Sequence, residues 1–246
     1  MKIALSLSAI ALLLGTTACG SVASNDSSSQ DASSSVLAQA PLQSQSNTPS
    51  GPKLTGKATA EMTVNDKTIV VELDGTHAPF TVGNFVDLAQ KGVYNGTRFH
   101  RVIKSPQPFV AQGGDPQGKD PSVPVSNLGT GNYIDPGTKL DRYIPLEIKP
   151  DGAEAPLYSQ TFKAAGINTS PQLSHRKGAI AMARTPAPDS ASAQFYFALA
   201  DLDFLDGDYA VFGYVNDDSM SVVEAIEQGD VIDSVKITKG ADQLES

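Results

Sequence analysis

The feature that most constrains the fold is a regular alternation of apolar and polar residues that begins at Lys57. In KATAEMTV, positions 58, 60, 62 and 64 are apolar, while the residues between them are polar or charged. Successive side chains of a strand point to opposite faces, so this alternation predicts a strand with one buried face. Asn65 and Asp66 then separate it from a second strand-like segment, 68–73, which predicts a hairpin.

Further segments along the chain have the length and composition of strands, and they bring the total to about eight. They are 97–103, 109–112, 178–183, 194–199, 210–215 and 231–238. Many short antiparallel strands favour closure into a barrel, because closure removes exposed strand edges.

Two amphipathic segments interrupt the strands and predict helices. The first, 78–92, has Pro79 near its start and Gly92 at its end, and the second, 218–230, ends near Gly229. We therefore expect a β-dominated fold, a closed eight-stranded antiparallel barrel capped by two α-helices.

The N-terminus has the composition of an export signal. A short positive start precedes an apolar run, 3–14, and Cys19, the one cysteine of the chain, follows a few small residues later. The pattern resembles a bacterial lipoprotein signal, which implies a signal peptide over 1–18, cleavage before Cys19 and lipidation of that cysteine. The alternative is ordinary cleavage after Ala23, which would release a soluble exported protein. We expect an exported, membrane-anchored lipoprotein that faces the periplasm or the cell exterior.

Composition then divides the remaining chain. Residues 19–54 are rich in Ser, Gln, Asn and Pro and predict a flexible tether, and residues 55–246 predict one folded domain. The net charge of −9 argues against sequence-independent nucleic-acid binding, which needs clustered positive charge. We expect a monomer.

Four separated segments resemble the cyclophilins, a family of peptidyl-prolyl isomerases. They are FHRVI…FVAQGGD (99–115), GAIAMAR (178–184), SAQFYFALAD (192–201) and FLDGDYAVFGYV (204–215). They occur in the family's order, and the resemblance extends over about residues 57–240. It implies the barrel described above, a shallow groove on its outer surface, proline-containing polypeptide clients and no cofactor.

The resemblance also implies a set of site residues. Arg101 corresponds to the family's catalytic arginine, and Gln112 to the glutamine that bonds the substrate backbone. The other substrate-binding residues implied are Phe109, Val110, Ala183, Arg184, Gln194, Tyr196, Phe204, Leu205 and Tyr209. Phe204, Leu205 and Tyr209 are expected to close the pocket for the proline ring.

These residue types suit proline isomerisation. Rotation about a peptide bond has a barrier of roughly 18–20 kcal/mol, and X-Pro bonds exchange slowly between two populated isomers. No covalent bond has to break. An apolar pocket must hold the ring, and a donor must reach the prolyl nitrogen as it loses conjugation. Arginine is always charged and offers a fork of N–H donors, so it can stabilise that transition state.

Departures from the family pattern leave a second function open. Seven residues, VIKSPQP, separate Arg101 from Phe109, more than the family usually has, and residues 150–174 form an inserted loop with a short helix around 160–165. The chain could instead bind proline-containing peptides as a chaperone or scaffold with weak or no isomerase turnover. Arg101 itself could be a strand arginine paired with a carboxylate. A purely structural envelope protein is the third class, and it leaves the polar groove residues unexplained.

Other chemistry is less well supported by the sequence. His100 is interpreted as structural because isomerisation needs no general base. His77 and His175 lack metal-ligand spacing, so no metal site is expected. No Gly-x-Ser-x-Gly elbow accompanies the many serines, which argues against a hydrolase.

Overall fold

The structure, a computed structural model, describes residues 49–245. The predicted signal peptide, Cys19 and most of the predicted tether lie outside the described residues. The described strands are β1 Lys53–Leu54, β2 Lys57–Val64, β3 Lys67–Asp74, β4 Arg101–Val102, β5 Val110–Gly113, β6 Glu147–Ile148, β7 Leu157–Tyr158, β8 Ala179–Met182, β9 Phe195–Ala198, β10 Val211–Val215, β11 Ile232–Lys239 and β12 Leu244–Glu245. The described α-helices are α1 Pro79–Gln90, α2 Phe162–Ala165 and α3 Met220–Ala225.

The predicted hairpin is formed by β2 and β3, which pair over their full eight residues. Asn65 and Asp66 both have positive φ, 51° and 60°. A two-residue turn of this kind matches the twist of the flanking strands and favours Asn and Asp at its centre. The apolar positions of β2 are all buried, as the alternation predicted.

The eight predicted strands form one antiparallel sheet in the order β11-β2-β3-β10-β8-β9-β5-β4. The prediction of a closed barrel is wrong: the sheet curls but its ladder stays open between β4 and β11. β4 is only two residues long, so it offers little edge for pairing. An isolated β-bridge between Arg98 and Val231 crosses this gap in place of a strand ladder.

The described residues contain three α-helices, two predicted as caps of the barrel and one predicted as a short helix within the inserted loop. α1 and α3 are the two helices predicted as caps. α3 is shorter than the segment suggested: Val223 is its buried residue, and Ile226, also buried, directly follows its end. The third, α2, is the four-residue helix of the inserted loop. Among residues 49–245, no helix is both long and apolar enough to cross a membrane.

The core lies inside the curl of the sheet and is rich in aromatic rings. Phe85 of α1 stacks on Tyr94 at 4.9 Å between ring centroids, and Phe195 of β9 meets both rings edge-on. Leu54 is also fully buried in this core. The domain therefore includes β1, two residues that the sequence placed in the tether, and β1 pairs with β12 near the C-terminus.

The inserted loop is tied to the domain at its neck. β6 and β7 pair as a short hairpin, and Pro150 bridges Pro171. The carboxylate of Glu147 in β6 accepts hydrogen bonds from the backbone of Phe80 and Thr81 at the start of α1. The insertion is thus a packed part of the domain.

Candidate active site

Strand register places three of the predicted site residues in one row on the outer face of the sheet. Arg101 of β4 lies opposite Gln112 of β5, and Gln112 lies opposite Tyr196 of β9. Residues that face each other across antiparallel strands project from the same side of the sheet. The row therefore presents a guanidinium, an amide and a phenol side by side.

The guanidinium of Arg101 is exposed and lies beside an apolar ring. Its centre is 5.5 Å from the centroid of Phe109, and its Nη1 donates to Oε1 of Gln112 at 3.4 Å. Within the described part of the chain, no carboxylate lies within 4.0 Å of it. The alternative of a strand arginine held in an ion pair is thus without support in these residues.

A groove of about 230 Å³ opens over this row. Nine of the eleven predicted catalytic and substrate-binding residues line it: Arg101, Phe109, Val110, Gln112, Ala183, Arg184, Tyr196, Leu205 and Tyr209. These residues come from β4, from β5 and the residue before it, from β9, from the two residues after β8 and from the segment before β10. The sequence segments, far apart along the chain, thus converge on one surface.

The other two predicted residues lie beside the groove. Phe204 is 70% exposed and stacks on Phe109 at 6.1 Å, so it forms the rim of the apolar end and not its lining. Gln194 accepts a hydrogen bond from Nε2 of Gln112 at 3.2 Å and donates to the carbonyl of Gly131 at 2.9 Å. Gln194 therefore affects the groove indirectly, because it holds the side chain of Gln112 in place.

A second cavity of about 420 Å³ adjoins the groove and shares Gln112, Ala183 and Arg184 with it. The Arg184 guanidinium is held in the wall between them. Its Nε and Nη2 donate to the carbonyl of Asp208 at 2.9 and 2.7 Å, and its centre lies 4.7 Å from the ring centroid of Tyr209. Arg184 is therefore fixed by backbone carbonyls and an aromatic face.

The hydroxyl of Tyr196 has a partner that the sequence did not reveal. It lies 2.9 Å from Nε2 of His175, whose Nδ1 lies 2.7 Å from the carboxylate of Asp206. Because a carboxylate accepts, Nδ1 carries the proton and Nε2 accepts from the phenol. Burial lowers the pKa of His175, and burial raises the pKa of Tyr196 well above its usual value, so both side chains are neutral at pH 7.

The residues 104–108 form an exposed loop beyond the strand ends. Ile103 and Val110 are joined by a backbone hydrogen bond, and the N–H of Phe109 donates to the carbonyl of Ile103, both at 2.9 Å. Lys104 makes an ion pair with Glu227 at 2.8 Å. The extra residues therefore leave Phe109 against the groove.

Two polar residues of the same motifs are buried next to the site. Asp115 accepts hydrogen bonds from the backbone N–H groups of Gln117, Gly129 and Gly131, and so it holds a turn in place. His100 is 8% exposed, and neither ring nitrogen has a hydrogen-bond partner among the described residues. Burial lowers the pKa of His100. In the described residues, no group of three potential metal ligands occurs.

The arrangement combines an apolar floor and wall with the exposed guanidinium of one arginine. Phe109, Leu205 and Tyr209 can enclose a small ring, and the Arg101 guanidinium is adjacent to that space. A pocket of this kind can hold a planar amide and offer a charged donor to one of its atoms without any acid–base step.

Comparison with known proteins identifies the family that this chain resembles. The family model described as "Cyclophilin type peptidyl-prolyl cis-trans isomerase/CLD" matches residues 59–244. A Synechocystis protein whose name assigns it to the thylakoid lumen as a peptidyl-prolyl cis-trans isomerase is 41% identical over 78% of this chain. A chloroplastic peptidyl-prolyl cis-trans isomerase of Arabidopsis thaliana is 34% identical, also over 78% of the chain. The chain spans about half the length of these two relatives, 50% and 45%.

A shorter relative is matched over most of its length. The peptidyl-prolyl cis-trans isomerase of Helicobacter pylori strain 26695 is 36% identical, and the match covers 74% of this chain and 88% of that protein. A crystal structure of a Cryptosporidium parvum cyclophilin type peptidyl-prolyl cis-trans isomerase, in the presence of the dipeptide Ala-Pro, has a TM-score of 0.54 and 24% identity. The alignment covers 74% of this chain and 99% of the Cryptosporidium parvum chain, which supports a shared fold.

Proposed function

The chain belongs to the cyclophilin-type peptidyl-prolyl cis-trans isomerase family, and from that premise we propose that it catalyses rotation about X-Pro bonds in exported polypeptides and so assists their folding. In this proposal Phe109, Leu205 and Tyr209 hold the proline ring, and Gln112 binds the substrate backbone. Arg101 donates to the prolyl nitrogen as that atom becomes pyramidal. No cofactor takes part.

The observation that carries the proposal is the position of Arg101. Its guanidinium lies at the edge of the apolar groove, 5.5 Å from the Phe109 ring, with Gln112 as its hydrogen-bond partner. A donor placed there gains most when conjugation is lost, because the prolyl nitrogen then accepts a hydrogen bond. The dipeptide Ala-Pro, present in the Cryptosporidium parvum structure, has the size and chemistry that the groove would bind.

The proposal is tested with a coupled isomerase assay on an X-Pro peptide and the full-length chain. Arg101→Ala should lower kcat by about 100-fold or more, which is the usual effect of removing one transition-state donor. Arg101→Lys keeps the charge but loses the fork of donors, so its activity should be intermediate. Lys236→Ala, which removes an exposed cation of β11, is the control and should leave activity unchanged. Equal rates for the wild type and Arg101→Ala would reject the mechanism.

The same preparation tests the alternative of a binding module. Peptide binding can be followed by NMR together with exchange between the cis and trans isomers. Binding without accelerated exchange would indicate a chaperone or scaffold that uses the same groove. Accelerated exchange that depends on Arg101 supports the enzyme.

We also propose that the protein is exported and anchored to a membrane through a lipid on Cys19. The support is the charge and hydropathy pattern of residues 1–19, and the name of the Synechocystis relative, which refers to the thylakoid lumen. Mass spectrometry of the mature N-terminus tests this directly. A diacylated N-terminal cysteine is expected, whereas an unmodified N-terminus beginning at Ser24 would contradict it.

A further inference from the structure

The segment 150–174 packs directly beneath the loop that forms one wall of the groove. That loop, 202–209, carries Leu205 and Tyr209 of the pocket, and we call it the pocket loop. We call residues 150–174 the inserted segment. Its two ends meet at a neck, where the backbone N–H of Asp151 donates to the carbonyl of Ser170 at 2.8 Å. A segment whose ends are joined in this way can restrict the conformation of the loop that packs against it.

The first contact between the two is made by Phe162 at the start of α2. Its backbone N–H donates to the carbonyl of Gly207 at 2.9 Å, and its side chain is buried, 6% exposed. Gly207 has φ +79°, and a Cβ there would lie 2.8 Å from the Cβ of Phe162. Only glycine allows this approach, so the pocket loop rests on the Phe162 side chain.

Beneath Phe162 lies a small apolar cluster of its own. Phe162 packs there with Leu146, Ile148 and Ala210, all of them buried. Ala210 directly follows the pocket loop, and Leu146 and Ile148 lie just before the inserted segment. The cluster therefore joins the two segments through buried apolar contacts.

The second contact is made by His175, the residue that follows the inserted segment. Its backbone N–H and its Nδ1 lie 2.8 and 2.7 Å from the same carboxylate oxygen of Asp206, in the pocket loop. Its carbonyl accepts from the N–H of Leu202 at 2.7 Å, where the pocket loop begins. Its Nε2 reaches Tyr196 on the groove floor. One fully buried side chain thus links the pocket loop to the floor.

We propose that the inserted segment and His175 hold the pocket loop in its substrate-binding conformation, with Phe162 and His175 as positioning residues for the proline pocket. Phe162 acts through the loop, His175 acts through the loop and through Tyr196, and neither lines the groove. The proposal rests on the proposed function, since it assigns a role to the segment in that same site.

The consequence is an effect on binding and not on the rotation step. A loop that spends only part of its time in the competent conformation weakens apparent affinity by that fraction. Arg101 lies on β4, outside the pocket loop, and its guanidinium is hydrogen-bonded to Gln112 of β5, so the transition-state donor stays in place. Loss of an anchor should therefore raise KM about tenfold and change kcat by less than about threefold, the pattern of lost uniform binding.

The test measures KM and kcat of the full-length chain for an X-Pro peptide in two anchor series. Phe162→Ala and His175→Ala should each raise KM. Phe162→Leu and His175→Asn should restore most of the affinity, because leucine refills the apolar cluster and the asparagine amide can still donate to Asp206. Glu154→Ala changes an exposed residue of the inserted segment and is the control, with KM unchanged.

A second readout follows the pocket loop itself. In 15N NMR spectra of the full-length chain, Phe162→Ala should broaden the amide signals of residues 202–209 and leave those of the β2–β3 hairpin sharp. Unchanged KM and unchanged loop signals in both alanine variants would overturn the proposal. A fall in kcat with KM unchanged would also overturn it.

The two readouts distinguish failure of this proposal from failure of the proposed function. If the wild type neither binds the peptide nor accelerates its isomerisation, the proposed function fails, and the loop signals still decide whether the inserted segment positions the loop. If the wild type binds without turnover, Kd from the titration replaces KM. If His175→Ala does not fold, the Phe162 series decides by itself.

Discussion

At the scale of single residues, the site depends on a relay of amide side chains that fixes one cation. Gln112 accepts from Arg101 and donates to Gln194, and Gln194 donates onward to the carbonyl of Gly131. The relay ends in backbone, so each side chain has one preferred orientation. An exposed arginine would otherwise lose considerable side-chain entropy when it is ordered by substrate.

Gln112→Ala should therefore lower kcat/KM by about three- to tenfold, the effect expected for one or two neutral hydrogen bonds. Gln112→Glu should lower it further, because a carboxylate opposite Arg101 would draw the guanidinium away from the substrate. The measurement is steady-state kinetics of both variants. Gln107→Ala, in the exposed loop 104–108, is the matched control. Full activity of Gln112→Glu would show that catalysis does not require an Arg101 guanidinium that is free to donate to the substrate.

The groove residues could be predicted from sequence because they lie in short motifs with fixed neighbours. The partners behind them could not. His175 and Tyr196 are 21 residues apart and Asp206 is a further ten along the chain, and no periodicity connects them. Only the packing of the inserted segment and its neighbours identifies His175 as the partner of the Tyr196 hydroxyl. Phe204 lies on the rim because its segment forms a short 3-10 turn that directs the ring outward.

At the scale of elements, α1 begins without a cap of its own. Ala78 at its N-cap position offers no side-chain acceptor, and Pro79 lacks an N–H. Glu147 of β6 supplies the acceptor from 67 residues away: its carboxylate bonds the N–H of Phe80 at 3.2 Å and the N–H of Thr81 at 2.8 Å. A negative group at this end also interacts favourably with the helix dipole. The neck of the insertion and the first helix are thus one structural unit.

Glu147→Gln should lower the free energy of unfolding by about 1–3 kcal/mol, because the amide NH2 would face a backbone donor in a buried site. Urea denaturation at pH 7 measures the change. Glu154→Gln, an exposed change in the same segment, should have no measurable effect. The kcat/KM of Glu147→Gln should stay within about twofold of wild type, since the residue lies outside the groove lining. An unfolding free energy equal to that of wild type would contradict the capping role.

The elements themselves were largely predictable, and the errors have a common physical cause. Alternation and turn residues depend on neighbours in sequence, so all eight strands of the main sheet were found. Closure depends on how 96–99 meets 229–232, which is set by packing across the whole domain. Likewise, β1 was assigned to the tether because Leu54 is a lone apolar residue among polar ones, and only its burial against α1 and β12 makes it part of the domain.

At the scale of the whole molecule, two buried histidines link stability to pH. His100 has no hydrogen-bond partner among the described residues, and burial lowers its pKa, an effect to which the nearby Arg101 adds and which Asp115 opposes. Burial also lowers the pKa of His175, against the opposing effect of Asp206 and its neighbours. In both cases the folded protein favours the neutral ring. A group whose folded pKa is lowered contributes stability above its unfolded pKa and loses it as pH falls.

The unfolding free energy should therefore decrease as pH falls below 6.5, the ordinary histidine pKa, with a limit of about 1.4 kcal/mol per pH unit for each histidine. Glu147, whose pKa is raised by burial, acts in the opposite direction, so the histidine contribution is best isolated by difference. His100→Phe keeps a buried ring and removes one titrating group. Its stability relative to wild type should rise steadily between pH 7 and pH 5 in urea denaturation. A difference that stays constant over that range would mean that His100 takes up its proton equally well in the folded and unfolded chains, and that burial of this ring carries no pH-dependent cost.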